Sequence, residues 1–237
     1  MRLTSRWCVL LAAIWPGLLL ADGVSIDKVY HPYVTPLEWG LEWRAIHMRE
    51  SPENGRQRAQ QHALGIGRAL SERLFFEGYL VGERSAGESM RHTASELELL
   101  WQLSEQGEHA IDYGLLFELE HERDHDDWEA AVKLLLEREI GRFSAAANLG
   151  LIREWGESVD SEWETSFSLQ GRYRHARWLE PALELHQGED TRAAGPVLLG
   201  TARLGDRQSL HWEMGVIFGM DAPTPDYTVR GLLEYEF

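Results

Sequence analysis

The chain has 237 residues, of which 26% are charged and 43% hydrophobic, with a formal net charge of −16 and a single cysteine. So acidic a chain cannot hold nucleic acid by neutralising phosphates, and one thiol cannot staple a small secreted domain with disulfides. The length suits one domain.

Taken in order, the first stretch looks like a secretory signal peptide over residues 1–21. Arg2 and Arg6 precede an apolar run from Trp7 to Leu20, interrupted at Trp15-Pro16-Gly17 and ending at Ala21 before Asp22-Gly23. That run is too short for a spanning helix. Leu19, three residues before the expected cut, is larger than the small residue preferred there, so the exact cleavage point stays open. Cleavage would remove Cys8 and two positive residues, taking the formal charge from −16 to −18. After residue 21 nothing approaches the roughly 18 apolar residues of a membrane helix, so any crossing of a membrane must be made by strands.

Residues 22–36 hold Tyr30, Pro32, Tyr33 and Pro36 without periodicity and read as a short N-terminal periplasmic arm. From Leu37 apolar and polar residues alternate at period two, the mark of strands with two unlike faces. Leu37, Trp39, Leu41, Trp43 and Ala45 oppose Glu38, Glu42 and Arg44. Segments follow at about 61–70, 74–83, 96–103, 111–120, 128–137, 143–154, 163–173, 179–186, 198–204 and 210–220. The segment at 61–70 is the weakest, because His62 and Arg68 share the face of Leu64 and Ile66. Pro181 and Pro196 fall inside two others, where each removes a ladder donor.

The last segment, Tyr227-Thr-Val-Arg-Gly-Leu-Leu-Glu-Tyr-Glu-Phe237, puts Tyr227, Val229, Leu233, Tyr235 and Phe237 on one face and Arg230, Glu234 and Glu236 on the other. It resembles the C-terminal strand of Gram-negative outer-membrane β-barrel proteins. The resemblance implies an all-β fold, a closed antiparallel up-and-down transmembrane barrel over residues 37–237. It also implies export through the periplasm to the outer membrane, contact with its lipid, and a role for Tyr235 and Phe237 as the signal read by the barrel-assembly machinery. The stretch Tyr113–Glu120 and the closing residues are similar to uncharacterised proteobacterial barrels, a likeness that carries no activity.

Twelve candidate strands are an even number, as bacterial single-chain barrels require, and eight tryptophans remain after the leader. Tight connections at 71–73, 139–142, 174–177 and 205–208 alternate with longer polar ones at 50–60, 84–93, 121–127, 156–162, 187–194 and 221–226. A soluble barrel would also alternate. Leader, Trp-rich apolar face, even count and terminal Phe together favour the membrane form.

In such a barrel the polar faces line the lumen. The acidic set is Glu38, Glu42, Glu77, Glu96, Glu98, Asp112, Glu118, Glu120, Glu129, Glu137, Glu164, Glu180, Glu184, Glu213, Glu234 and Glu236, against Arg44, Lys133, Arg172, Arg203 and Arg230. Either these carboxylates line a water-filled passage that favours cations or cationic solutes, or Glu/Arg networks fill the interior and satisfy one another. Arg230, Glu234 and Glu236 should meet Glu38, Glu42 and Arg44 at the closing seam.

The loop His121-Glu-Arg-Asp-His-Asp-Asp127 is the densest set of potential metal ligands, with His121, Asp124 and His125 as candidates; a solvated acidic loop is the plainer reading. No catalytic constellation is evident: the His-x-Ser-Asn-Gly sequence of outer-membrane phospholipases is absent, and His186 and His211 lack a nucleophile nearby in sequence. No cofactor is expected. The expectation is a passive channel with an acidic lumen, against a closed structural or binding barrel that acts through its loops or N-terminal arm without conductance.

Overall fold

Alternation along each segment becomes twelve strands in a computed structural model, which describes residues 26–49, 59–84, 87 and 89–237. They are β1 (Trp39–Arg49), β2 (Ala59–Ala69), β3 (Leu74–Arg84), β4 (Arg91–Gln102), β5 (Asp112–Glu122), β6 (Trp128–Ile140), β7 (Phe143–Trp155), β8 (Glu162–Tyr173), β9 (Glu180–Gln187), β10 (Arg192–Arg203), β11 (Ser209–Gly219) and β12 (Tyr227–Glu236). The candidate leader, residues 22–25 of the arm and most of the 50–60 loop lie outside the described residues.

Each strand pairs antiparallel with its sequence neighbours, and β12 pairs with β1 to close a cylinder. Closure leaves no edge carrying unpaired backbone donors and acceptors. The register at the seam sets Leu41 against Tyr235 and Trp43 against Leu233. Beyond β12 itself, Phe237 exchanges two backbone hydrogen bonds with Trp39, at 2.9 and 3.0 Å, so the terminal residue belongs to the seam.

The apolar face of every strand points outward. Leu41, Trp43, Leu64, Ile66, Leu80, Leu97, Leu149, Leu183, Met214 and Phe218 are all exposed, a band far larger than a soluble monomer tolerates. Stacked aromatics sit at both ends: Trp128 with Trp155 on the loop side, Tyr235 with Phe237 on the side of the chain's C-terminus. His62 and Arg68, which blurred the pattern of β2, do face outward, and each covers a tryptophan: His62 stacks on Trp43, and the Arg68 guanidinium lies over the Trp39 ring.

Three details differ from the sequence reading. Leu37, counted with the first strand, precedes it in a turn. The connection 103–111 lies on the end with the short turns yet is not short, and it is tied down by Gln102, Ser104 and Asp112. Strand β10 starts six residues earlier than its apolar alternation, because Ala193 and Gly195 face inward without a strong hydrophobic signal.

The larger difference concerns the arm, which the sequence reading leaves outside the cylinder. Residues 26–36 instead lie inside the cylinder and run down it, from Ile26 among β9–β11 to Tyr33 and Val34 at Asp112 and Gln102, on the end that holds the chain's C-terminus. Ile26 packs with Ala182, Ala193, Val197, Leu199 and Ile217, an apolar inner patch on β9–β11. Tyr30 packs with Leu116 and Leu135. Pro32 lies against Gly114, where a Cβ would come within 3.1 Å of the Pro32 Cβ and 2.9 Å of the Trp101 carbonyl oxygen. Only glycine lets the arm approach the wall this closely.

Candidate functional site: the charged lumen and its internal arm

Period-two geometry decides which carboxylates enter the cylinder. Glu42, Glu77, Glu98, Glu118, Glu137, Glu164, Glu184 and Glu213 are buried, and Glu96, Glu120, Glu129, Glu180, Glu234 and Glu236 are half-buried on the same inner faces. Arg44 and Arg230 are buried, Lys133 and Arg172 are half-buried, and Arg203 is exposed at the end of β10. Glu38 sits before β1 at the rim, where burial and the nearby Glu236 push its carboxyl up to about 7.

The arm is bound to this lining along its whole described length. Asp27 pairs with Arg44, and its carbonyl oxygen accepts from Arg230. Lys28 Nζ lies 2.6 Å from Glu42 Oε2 and 4.8 Å from the Tyr30 ring centroid. The Asn148 amide clasps Tyr30 at both backbone groups, accepting from its N–H at 2.8 Å and donating to its carbonyl at 2.9 Å. The Tyr30 hydroxyl donates to Glu98 at 2.7 Å. Nearer the rim His31 meets Glu137 at 2.7 Å, Tyr33 donates to Asp112 at 2.9 Å, and the Val34 N–H donates to Gln102 at 2.8 Å.

The wall's own cations are shared with these groups. Arg44 lies 2.8 Å from Glu42 and 3.5 Å from Glu98, and stacks over the Tyr79 ring at 4.5 Å. Arg230, wholly buried, donates to Glu184 of β9 at 2.9 Å and to Glu213 of the neighbouring β11 at 3.1 Å. It therefore does not join the seam cluster expected of it. Glu234 does, converging with Glu42 and Glu77. Lys133 donates to Glu118 at 2.7 Å, and Arg172 bridges Glu137 and Glu180 at 3.3 and 3.4 Å. Charge-assisted bonds of this kind let ions remain in a low-dielectric interior. Above the arm a cavity of about 50 Å³ opens among Asp27, Lys28, Lys133, Asn148, His186 and Thr191.

The loop candidates for a metal do not converge. His121 Nε2 binds Asp126 at 2.8 Å with its ring against Trp128, while Asp124 faces Arg91 at 3.8 Å. The left-handed backbone of Asp126 turns the loop so that this aspartate, and not His125, meets His121. Among the described residues, the convergent acidic groups lie on the strands.

His186 and His211 contact Glu184 and Glu213, at 3.0 and 3.1 Å. A hydroxyl–imidazole pair that the sequence reading missed lies on the outer wall, Ser95 Oγ to His92 Nε2 at 3.2 Å. Arg123 donates to His92 Nδ1 at 3.2 Å, which places the imidazole proton on Nε2. The ring then donates to the serine and cannot accept its proton, the reverse of a nucleophile–base pair.

The sequence matches no protein-family model and no curated protein. The fold has solved counterparts. An outer-membrane channel from Pseudomonas putida F1 is 12% identical with a TM-score of 0.58, covering 90% of this chain and 99% of the other. The KdgM porin in complex with disordered oligogalacturonate is 9% identical with a TM-score of 0.53, covering 84% and 98%. The chain thus has the fold of Gram-negative outer-membrane β-barrels.

Proposed function

Starting from that fold, we propose that the chain is an outer-membrane channel whose acidic bore favours cations and is held shut at rest by its own N-terminal arm. The observation that carries the reading is Lys28. An ammonium tethered to the arm lies at Glu42, beside the convergent carboxylates of Glu77 and Glu234, so the lining already serves as a cation site for a group the chain supplies. Rings of carboxylates lower the cost of admitting positive ions and repel anions. The outward apolar band with aromatics at both ends suits hydrocarbon flanked by two interfaces, and Tyr235 and Phe237 are proposed as the contact for the assembly machinery.

The arm's hydrogen bonds favour a closed resting state, in which the molecule acts as a sealed barrel. Planar-bilayer recordings distinguish the two roles. The full chain is expected to show small, infrequent openings, and a variant lacking residues 22–36 a larger, steady conductance with a reversal potential displaced toward cations. Background conductance from both folded forms would leave only a closed structural barrel; a displacement toward anions would remove the cation preference.

A further inference from the structure

Around Lys28 the wall offers more than the arm uses. Three carboxylates, from Glu42 on β1, Glu77 on β3 and Glu234 on β12, bring oxygens within 4.8 Å of one another. Glu234 reaches Glu42 as its direct ladder partner, but Glu77 must cross the width of β2. It can do so because β2 places Gly65 and Gly67 on its inner face, opposite Tyr79 and Glu77 respectively. A Cβ on Gly65 would run into the Tyr79 ring, and one on Gly67 into the Glu77 side chain. The two glycines therefore let both residues lean over β2 toward Glu42.

Lys28 engages one edge of this cluster. Its Nζ lies 2.6 Å from Glu42 Oε2 and 3.4 Å from the Tyr79 hydroxyl, with the Tyr79 ring centroid at 5.8 Å. Arg44 also turns to Glu42, at Oε1. Independently of the spacing, Glu77 is 8% exposed and its Oε1 has no hydrogen-bond donor. A buried carboxylate oxygen in that state is costly, and a donor brought from outside removes the cost. The arm is pinned on either side of Lys28, by Arg44 at Asp27 and by Asn148 at Tyr30, so its ammonium is not free to centre itself among the three carboxylates.

We infer that the solutes admitted by the bore are organic amines carrying a primary ammonium, that Glu42, Glu77, Glu234 and Tyr79 form the site that recognises them, and that Lys28 is their tethered stand-in. This solute class rests on the channel reading. An ammonium has three N–H donors, one for each carboxylate, and the Tyr79 ring attracts an organic cation that has shed part of its water. A divalent ion needs about six oxygens and would have to share Glu42 with the Arg44 guanidinium.

The test is calorimetric titration of n-propylammonium chloride into the folded full chain in detergent, with ionic strength held constant by NaCl. The probe replaces the atoms that Lys28→Ala deletes. Lys28→Ala is expected to bind it at one saturable site, and wild type to bind it at least about tenfold more weakly, because the tethered ammonium must first be displaced. Adding Glu77→Gln to Lys28→Ala is expected to weaken binding at least about tenfold, the worth of one hydrogen bond to a charged group. Asp124→Asn, in the β5–β6 loop, is expected to leave the isotherm unchanged, and tetramethylammonium, which has no N–H, to give no saturable heat. Should Lys28→Ala fail to fold, as judged by heat-modifiable migration, its refolding yield is expected to recover with n-propylammonium and not with tetramethylammonium. Neither saturable heat nor recovery with n-propylammonium, or an isotherm indifferent to Glu77→Gln, would overturn the site. Equal binding of tetramethylammonium or Mg²⁺ would overturn the choice of a primary ammonium. Binding is measured without current: a cation-selective barrel that binds no amine overturns this inference alone, and one that binds the amine without conducting overturns the channel reading and keeps the site.

Discussion

At the scale of single residues, Asn148 shows how a polar side chain holds chain against chain inside a barrel. It lies on the inner face of β7, is 4% exposed, and satisfies both backbone groups of Tyr30. Replacing it with alanine strands a buried N–H and C=O, at a cost of about 1–3 kcal/mol each where water cannot reach them. Asn148→Ala is expected to release the arm while leaving the barrel folded. Limited proteolysis would then clip residues 26–36 in the variant and spare them in wild type; equal protection would mean that the clasp is dispensable. The inward direction of these side chains was legible from parity alone, but their partners were not. Arg230 sits on the face expected of it, yet binds Glu184 and Glu213 rather than the seam. Parity fixes which way a side chain points, whereas which neighbour along the wall it reaches depends on register and curvature, which leave no mark in one strand's sequence. The place of Glu77 beside Glu42 and Glu234 was equally hidden, because only register across the glycines of β2 makes those residues neighbours.

Among the elements, β9 is the weak one, and its proline explains why. It is the shortest strand, and its ladder with β8 runs only from Phe167 opposite Gln187 to Arg172 opposite Ala182. Pro181 is the next residue and has no N–H to continue it. Pro196 likewise falls in the gap where the β10–β11 pairing passes from Ala194 to Val197. The sequence signalled both prolines as missing donors. Pro181 lies opposite Leu198 and Pro196 opposite Leu183, so the two interrupt different seams. Amide exchange is expected to be fastest along β8–β9 and slowest along β6–β7, whose pairing runs unbroken from Trp128 opposite Trp155 to Ile140 opposite Phe143. Equal protection on both seams would show that the missing donors do not matter. The two-residue turn of that second hairpin, Gly141-Arg142, fits its task because Gly141 takes φ 62° without a Cβ penalty.

For the whole molecule the closing seam and the arm set the behaviour. Deleting Phe237 removes both hydrogen bonds with Trp39 and the ring stacked 5.4 Å from Tyr235. The truncated chain is expected to refold into micelles several times more slowly than wild type, followed by heat-modifiable migration, since β-topologies must make long-range pairs before they gain stability; unchanged kinetics would show that the seam closes without its last residue. The number, order and outward face of the strands could be read from alternation, because lipid-type exposure imposes it on every segment. The internal arm could not, because a segment wrapped by a wall on all sides has no face to alternate. What marks it in retrospect is the mix of Asp27, Lys28, Tyr30 and Tyr33, each able to answer a charge in the lining. Leu37, 91% exposed and left-handed at φ 64°, is where the chain doubles back from this arm into β1. That reversal brings Lys28 to Glu42 and Asp27 to Arg44 across 14 and 17 residues, whereas Arg230 reaches Asp27 from 203 residues away. The entropy of closing a loop rises with its length, so the route of least entropic loss joins arm to first strand early and winds the remaining sheet about them, like thread on a bobbin whose spindle is already in place.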